Sequence, residues 1–138
     1  MLSGTHDIST EQNATYSISF QYFDKDDVAI DINPTFVKVR FIVRKSSLLQ
    51  DKNLFEILFS FLNPEGIYND VDEGFLSYPN SDAEYGEITI DENNITVTIS
   101  SDTMSSVTPG SYFYYLNVEN IDEEKFCLVK GRFVVEAP

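Results

Sequence analysis

From Ala14 onward, apolar and polar residues alternate along most of the chain, and a period of two predicts β-strands. Tyr16, Ile18, Phe20 and Tyr22 fall on one face of the first such run, with Thr15, Ser17, Ser19 and Gln21 on the other. The acidic run Asp24-Lys25-Asp26-Asp27 predicts a turn. A short strand over Val28–Asp31 then ends at the breaker Asn33-Pro34. Phe36–Lys45 is the clearest strand, because Val37, Val39, Phe41 and Val43 alternate with Lys38, Arg40, Ile42 and Arg44. Burying the first set points the second outward, and a slip of one residue would invert both.

Leu54–Leu62 is apolar on both faces. Phe55, Ile57, Phe59 and Phe61 share one side, and Leu54, Leu58 and Leu62 sit with Glu56 and Ser60 on the other. That second face is expected to meet a loop or a partner chain. Asn63–Tyr85 reads as a long acidic loop, interrupted by a short edge strand at Gly74–Tyr78. Ile88–Ile90 leads through Asp91-Glu92-Asn93-Asn94 into Ile95–Ser100, and Ser101–Val107 reads as one helical turn capped by Ser101 or Asp102. Ser111–Val118 presents Tyr112, Tyr114, Leu116 and Val118 on one face. Lys125–Glu136 closes the chain with Cys127, Val129, Gly131, Phe133 and Val135 inward, and a bulge at Gly131 would switch its faces.

About seven short strands with turns between them predict an all-β protein, an antiparallel two-layer sandwich of immunoglobulin type. Its core is expected to include Tyr16, Ile18, Phe20, Val37, Val39, Phe41, Val43, Ile95, Val97, Ile99, Tyr112, Tyr114, Leu116 and Phe133. Tyr112 follows the Pro109-Gly110 turn and opens a strand, the position of a tyrosine corner, whose hydroxyl ties back to the backbone of that turn. Residues 1–13 are polar and without period, so they read as a flexible arm ahead of a domain spanning 14–138.

Composition narrows the partners. The 138-residue chain carries a formal net charge of −14, a field that repels nucleic acid and anionic lipid surfaces. No apolar run is long enough to cross a bilayer, and no secretory signal is expected at the start. Asn13-Ala14-Thr15 and Asn94-Ile95-Thr96 match the glycosylation sequon and are read as chance matches in a chain made in a reducing cytoplasm.

Reactive groups are scarce. His6, the single histidine, falls in the arm, and Cys127, the single cysteine, lies mid-strand among apolar residues. No nucleophile–base pair, zinc ligand set or phosphate-cradling glycine loop results, so neither catalytic residue, cofactor nor metal is expected. Asp24, Asp26 and Asp27, and likewise Asp70, Asp72 and Glu73, lack the spacing of a calcium loop and read as solvated acidic turns.

Two stretches resemble small phage virion proteins with an immunoglobulin-like sandwich. The first joins Ala14–Phe20, the Asp24–Asp27 turn, Ile30-Asp31-Ile32 and Val39–Arg44; the second orders Ile95–Ser100, Thr103, Val107, Pro109-Gly110, Tyr112, Tyr114, Leu116, Leu128-Val129, Gly131 and Val134-Val135. The pattern is similar to the opening domain of upper-baseplate proteins of phages infecting Gram-positive hosts, and to short tail, neck and baseplate proteins. Asp27 stands where those domains usually carry glycine, and Asn63–Tyr85 is longer and more acidic.

The resemblance implies a non-enzymatic adaptor or decoration domain located in the virion. Its partners would be other virion proteins, in an oligomeric assembly of multiple copies. The alternative is a module recognising a host surface glycan. The expected contact residues are the outward row Lys38, Arg40 and Arg44 and the second face of Leu54, Leu58 and Leu62. The arm and the acidic loop are expected to stay mobile until a neighbour orders them.

Overall fold

The computed structural model describes residues 4–45, 53–61, 76–78 and 86–138, with backbone alone at 53–54 and 76–78. The chain runs β1 (Gly4–Thr5), β2 (Ile8–Glu11), β3 (Tyr16–Gln21), the single turn α1 (Ile32–Thr35), β4 (Lys38–Arg44), β5 (Asn53–Ser60) and β6 (Leu76–Tyr78). It continues through β7 (Gly86–Asp91), β8 (Asn94–Ile99), the turn α2 (Ser101–Ser105), β9 (Gly110–Glu119) and β10 (Lys125–Glu136). The strands form two sheets, one ordered β1-β10-β9-β4-β5-β6 with β2 also on β10, the other ordered β3-β8-β7.

One apolar cluster lies between the sheets. Val39, Phe41, Val43, Tyr114, Leu116 and Phe133 of the larger sheet meet Ile95, Val97 and Ile99 of the smaller one, all buried. The Phe133 ring stands edge-on to Phe41, Phe55 and Tyr16. The fold is therefore the all-β sandwich that the alternation predicts, and the register of β4 is the expected one. Three predicted core residues depart from full burial: Tyr16, Ile18 and Phe20 only pack partly buried against the cluster. The reason is topological. β3 ends its sheet, and an edge strand has a neighbour on one side only.

The largest correction concerns residues 1–13. Instead of a flexible arm, residues 4–11 form β1 and β2, both parallel to β10, with Ile8 and Thr10 buried. Between them the chain kinks at His6 and Asp7. His6 N–H donates to the Lys130 carbonyl at 3.0 Å, and the Asp7 carboxylate replaces a ladder carbonyl by accepting Arg132 N–H at 3.0 Å. The His6 carbonyl turns inward, where the Tyr114 hydroxyl donates to it. Gly131 makes the kink sterically feasible, since a Cβ there would lie 2.1 Å from the His6 carbonyl oxygen. Period two was too short here to reveal a strand, because Ile8 is the sole large apolar residue in β2.

Smaller corrections follow the same logic. The bulge in β10 falls between Cys127 and Val129 rather than at Gly131, so Leu128 is buried while Cys127 and Val129 are half-buried. The strand expected at Val28–Asp31 reduces to one bridge between Phe23 and Ala29, with Val28 exposed. The helical cap is Ser100, whose hydroxyl oxygen accepts Thr103 N–H at 3.3 Å. In the acidic turn, Asp24 Oδ1 accepts from Asp26 N–H and Val28 N–H at 2.8 and 3.0 Å. Asp27 adopts a φ of 61°, a left-handed conformation that Asp tolerates better than most residues. The Tyr112 hydroxyl donates to the Thr108 carbonyl, the tie expected of a tyrosine corner. The Asn63–Tyr85 loop lies outside the described residues, apart from β6 within it.

A candidate docking face on the larger sheet

The outer face of β5, β4 and β9 carries most of the sequence-predicted contact residues. β4 is central, so each of its outward side chains has a neighbour on either side. Arg40 stands between Leu58 and Asn117, Ile42 between Glu56 and Tyr115, and Lys38 between Ser60 and Glu119. Arg40 reaches diagonally across the ladder to Glu56, with its guanidinium nitrogen 2.8 Å from Oε1. Lys38 lies 3.6 Å from one carboxylate oxygen of Glu119, and Lys125 lies 4.0 Å from the other. The Arg44 guanidinium stacks over Tyr115, 5.7 Å from the ring centre.

These contacts show that the outward row of Lys38, Arg40 and Arg44 is already engaged within the fold. Arg40 is bound to a carboxylate that is fully buried, and Lys38 to one that is nearly so. Leu58 is also buried, at 1% exposure, so it belongs to the fold rather than to a free surface. The Leu54 side chain and Leu62 lie outside the described residues. Glu56, Glu119, Asn117 and Lys125 were not singled out from sequence. Their signal was present but needed the register: a carboxylate opposite an arginine is informative only once the strands are paired.

Breaking the Arg40–Glu56 pair tests its structural role. Arg40→Met leaves a buried carboxylate without its guanidinium, and such losses cost about 3–5 kcal/mol. Adding Glu56→Leu removes the buried carboxylate as well. We expect denaturant titration to show the double variant recovering most of the loss. A single variant as stable as the parent would mean the pair contributes nothing to the fold.

Between these side chains lies a hollow of about 220 Å³, lined by Lys38, Arg40, Ile42, Arg44, Asn117, Val118, Glu119 and Lys125. Four of the chain's nine basic residues thus border one concavity, with Glu119 as the lining carboxylate among the described residues and Glu56 paired to Arg40 behind it. Among the described residues, Asn117 Oδ1 is buried there without a hydrogen-bond partner. The chemistry available is recognition of an acidic group at the rim, where the Lys125 ammonium is largely exposed and its ion pair long, while Arg40, Lys38 and Arg44 are already engaged by Glu56, Glu119 and Tyr115.

Reactive chemistry is sparse elsewhere. Burial pushes the Cys127 thiol up from its ordinary value, against the opposing pull of Lys130, so the neutral form dominates. Burial also raises the Tyr114 hydroxyl, consistent with a neutral donor to His6. Among the described residues, no three His, Cys, Asp or Glu side chains converge as a metal site, and no helix is long and apolar enough to cross a membrane. No family model matches the chain, and no curated protein matches it either.

Proposed function

We propose that this domain is a non-enzymatic structural component of a bacteriophage virion, an adaptor or decoration domain of the tail, neck or baseplate. It acts through protein–protein contacts, with the outer face of β5, β4 and β9 as its docking surface. The observation that carries the reading is the charge distribution. On a chain of net charge −14, four of nine basic residues border one hollow. Opposite potentials of this kind steer encounter and fix orientation, and an acidic protrusion of a neighbouring subunit fits them. The resemblance of the turn and core pattern to that of short phage virion proteins supports the particle as the setting.

Mass spectrometry of purified particles tests the setting: the protein is expected in multiple copies per particle, and its absence would overturn the proposal. Lys125→Glu tests the face. This side chain is largely exposed and its ion pair long, so stability should change by less than about 1 kcal/mol. Incorporation should nevertheless fall. Normal copy number with Lys125→Glu would move the docking surface elsewhere.

A further inference from the structure

Among the described residues, the smaller sheet ends in β3, which pairs with β8 on one side and with no strand on the other. Its register runs unbroken from Tyr16 opposite Ile99 to Gln21 opposite Asn94, all on β8. Among the described residues, no backbone hydrogen bond joins residues 16–21 to anything on the other side. Edge strands are usually protected against pairing by a charged side chain, a proline or a bulge. Tyr-Ser-Ile-Ser-Phe-Gln contains none of these. The outer face is neutral as well, with hydroxyl pairs Ser17–Thr98 and Ser19–Thr96 at 3.2 and 2.8 Å.

A second observation lies at the end of the same edge. A hollow of about 310 Å³ sits between the sheets, walled by Phe20 and Tyr22, by Ile95 and Leu116, and by Leu128 and Val129. Gly4 of β1, the edge strand of the opposite sheet, lines it, as do Asp24 and Asp27 of the acidic turn. Apolar walls and two carboxylates therefore lie where an added strand would finish.

We propose that β3 accepts an extended segment of a partner protein as a further strand. The segment seats an apolar side chain in the inter-sheet hollow and sets a lysine or arginine against Asp24 and Asp27. Backbone pairing supplies the attraction, and the hollow and turn supply the selectivity, which is the logic of strand addition. A second copy of this chain is disfavoured as occupant by its own charge of −14. The site is separate from the outer face of β4, so the two readings fail independently.

The probe is a short acetylated peptide alternating valine and threonine and ending in lysine. On binding, the outward amides of residues 16–21 should exchange about tenfold more slowly, and the same peptide N-methylated at alternate residues should have no effect. Asp27→Asn keeps a residue that tolerates the left-handed backbone and should weaken binding about two- to fivefold. Lys125→Glu should leave binding unchanged. Equal protection by the N-methylated peptide, or equal binding of a glutamate-ended one, would overturn the proposal. Protection that rises with protein concentration in the absence of peptide would do the same, since the occupant would then be a second copy.

Discussion

Gly131→Ala is expected to release the N-terminal strands from the sandwich, although it adds a single methyl group. The new Cβ would meet the His6 carbonyl oxygen at 2.1 Å, the carbonyl carbon at 2.8 Å and Asp7 Oδ1 at 3.0 Å. Two of these contacts are backbone, so no side-chain rotation relieves them. Relief requires the kink to lift off β10. That move breaks the His6–Lys130 and Asp7–Arg132 hydrogen bonds, deprives Tyr114 of its acceptor, and withdraws Ile8 from the core. Exposing Ile8 costs about 1.5–3 kcal/mol and each of the three lost hydrogen bonds about 1 kcal/mol, so a total of about 4.5–6 kcal/mol is expected. Amide exchange resolved by residue is the measurement: Ile8–Glu11 should lose protection while β4 and β9 keep theirs. A variant in which β2 stays protected would place the kink elsewhere.

Val39→Asp should abolish folding altogether. Val39 is fully buried on the central strand β4, between Phe59 of β5 and Val118 of β9. A carboxylate there has no water and would face an apolar cluster. Either it ionises in a poorly polarisable interior or it stays protonated far above its ordinary range. Both outcomes cost more than about 4 kcal/mol, a large part of the roughly 5–15 kcal/mol that holds a domain together. Circular dichroism should show loss of the native sheet signal, and thermal melting should show no cooperative transition. A cooperative melt at the parent temperature would mean that Val39 faces solvent and that the register of β4 is inverted.

The candidate site was legible in its residue types and misread in its state. Lys38, Arg40 and Arg44 do share the outer face of β4, as alternation requires. Their partners come from β5 and β9, which lie at different distances further along the chain. Charge reversal at Arg40 is therefore a probe of stability first, because Glu56 is buried behind it. Lys125 is the informative position for docking, being exposed at the border of the same hollow.

Local alternation was sufficient to determine the strand character of β3, β4, β8 and β9 and which side of each faces inward, because side chains on a pleated strand must point to opposite faces. The Pro109-Gly110 turn likewise determined the Tyr112 tie, since the hydroxyl reaches a carbonyl only four residues back. Tertiary structure decided the rest. Which strand ends a sheet, and so leaves Tyr16, Ile18 and Phe20 half-buried, depends on pairing order and not on composition. Whether residues 4–11 are arm or strand depends on an open edge of β10 and on the missing side chain at Gly131, more than a hundred residues away. Backbone hydrogen bonds between distant segments leave no periodic trace in either segment, so only the assembled sheet reveals them.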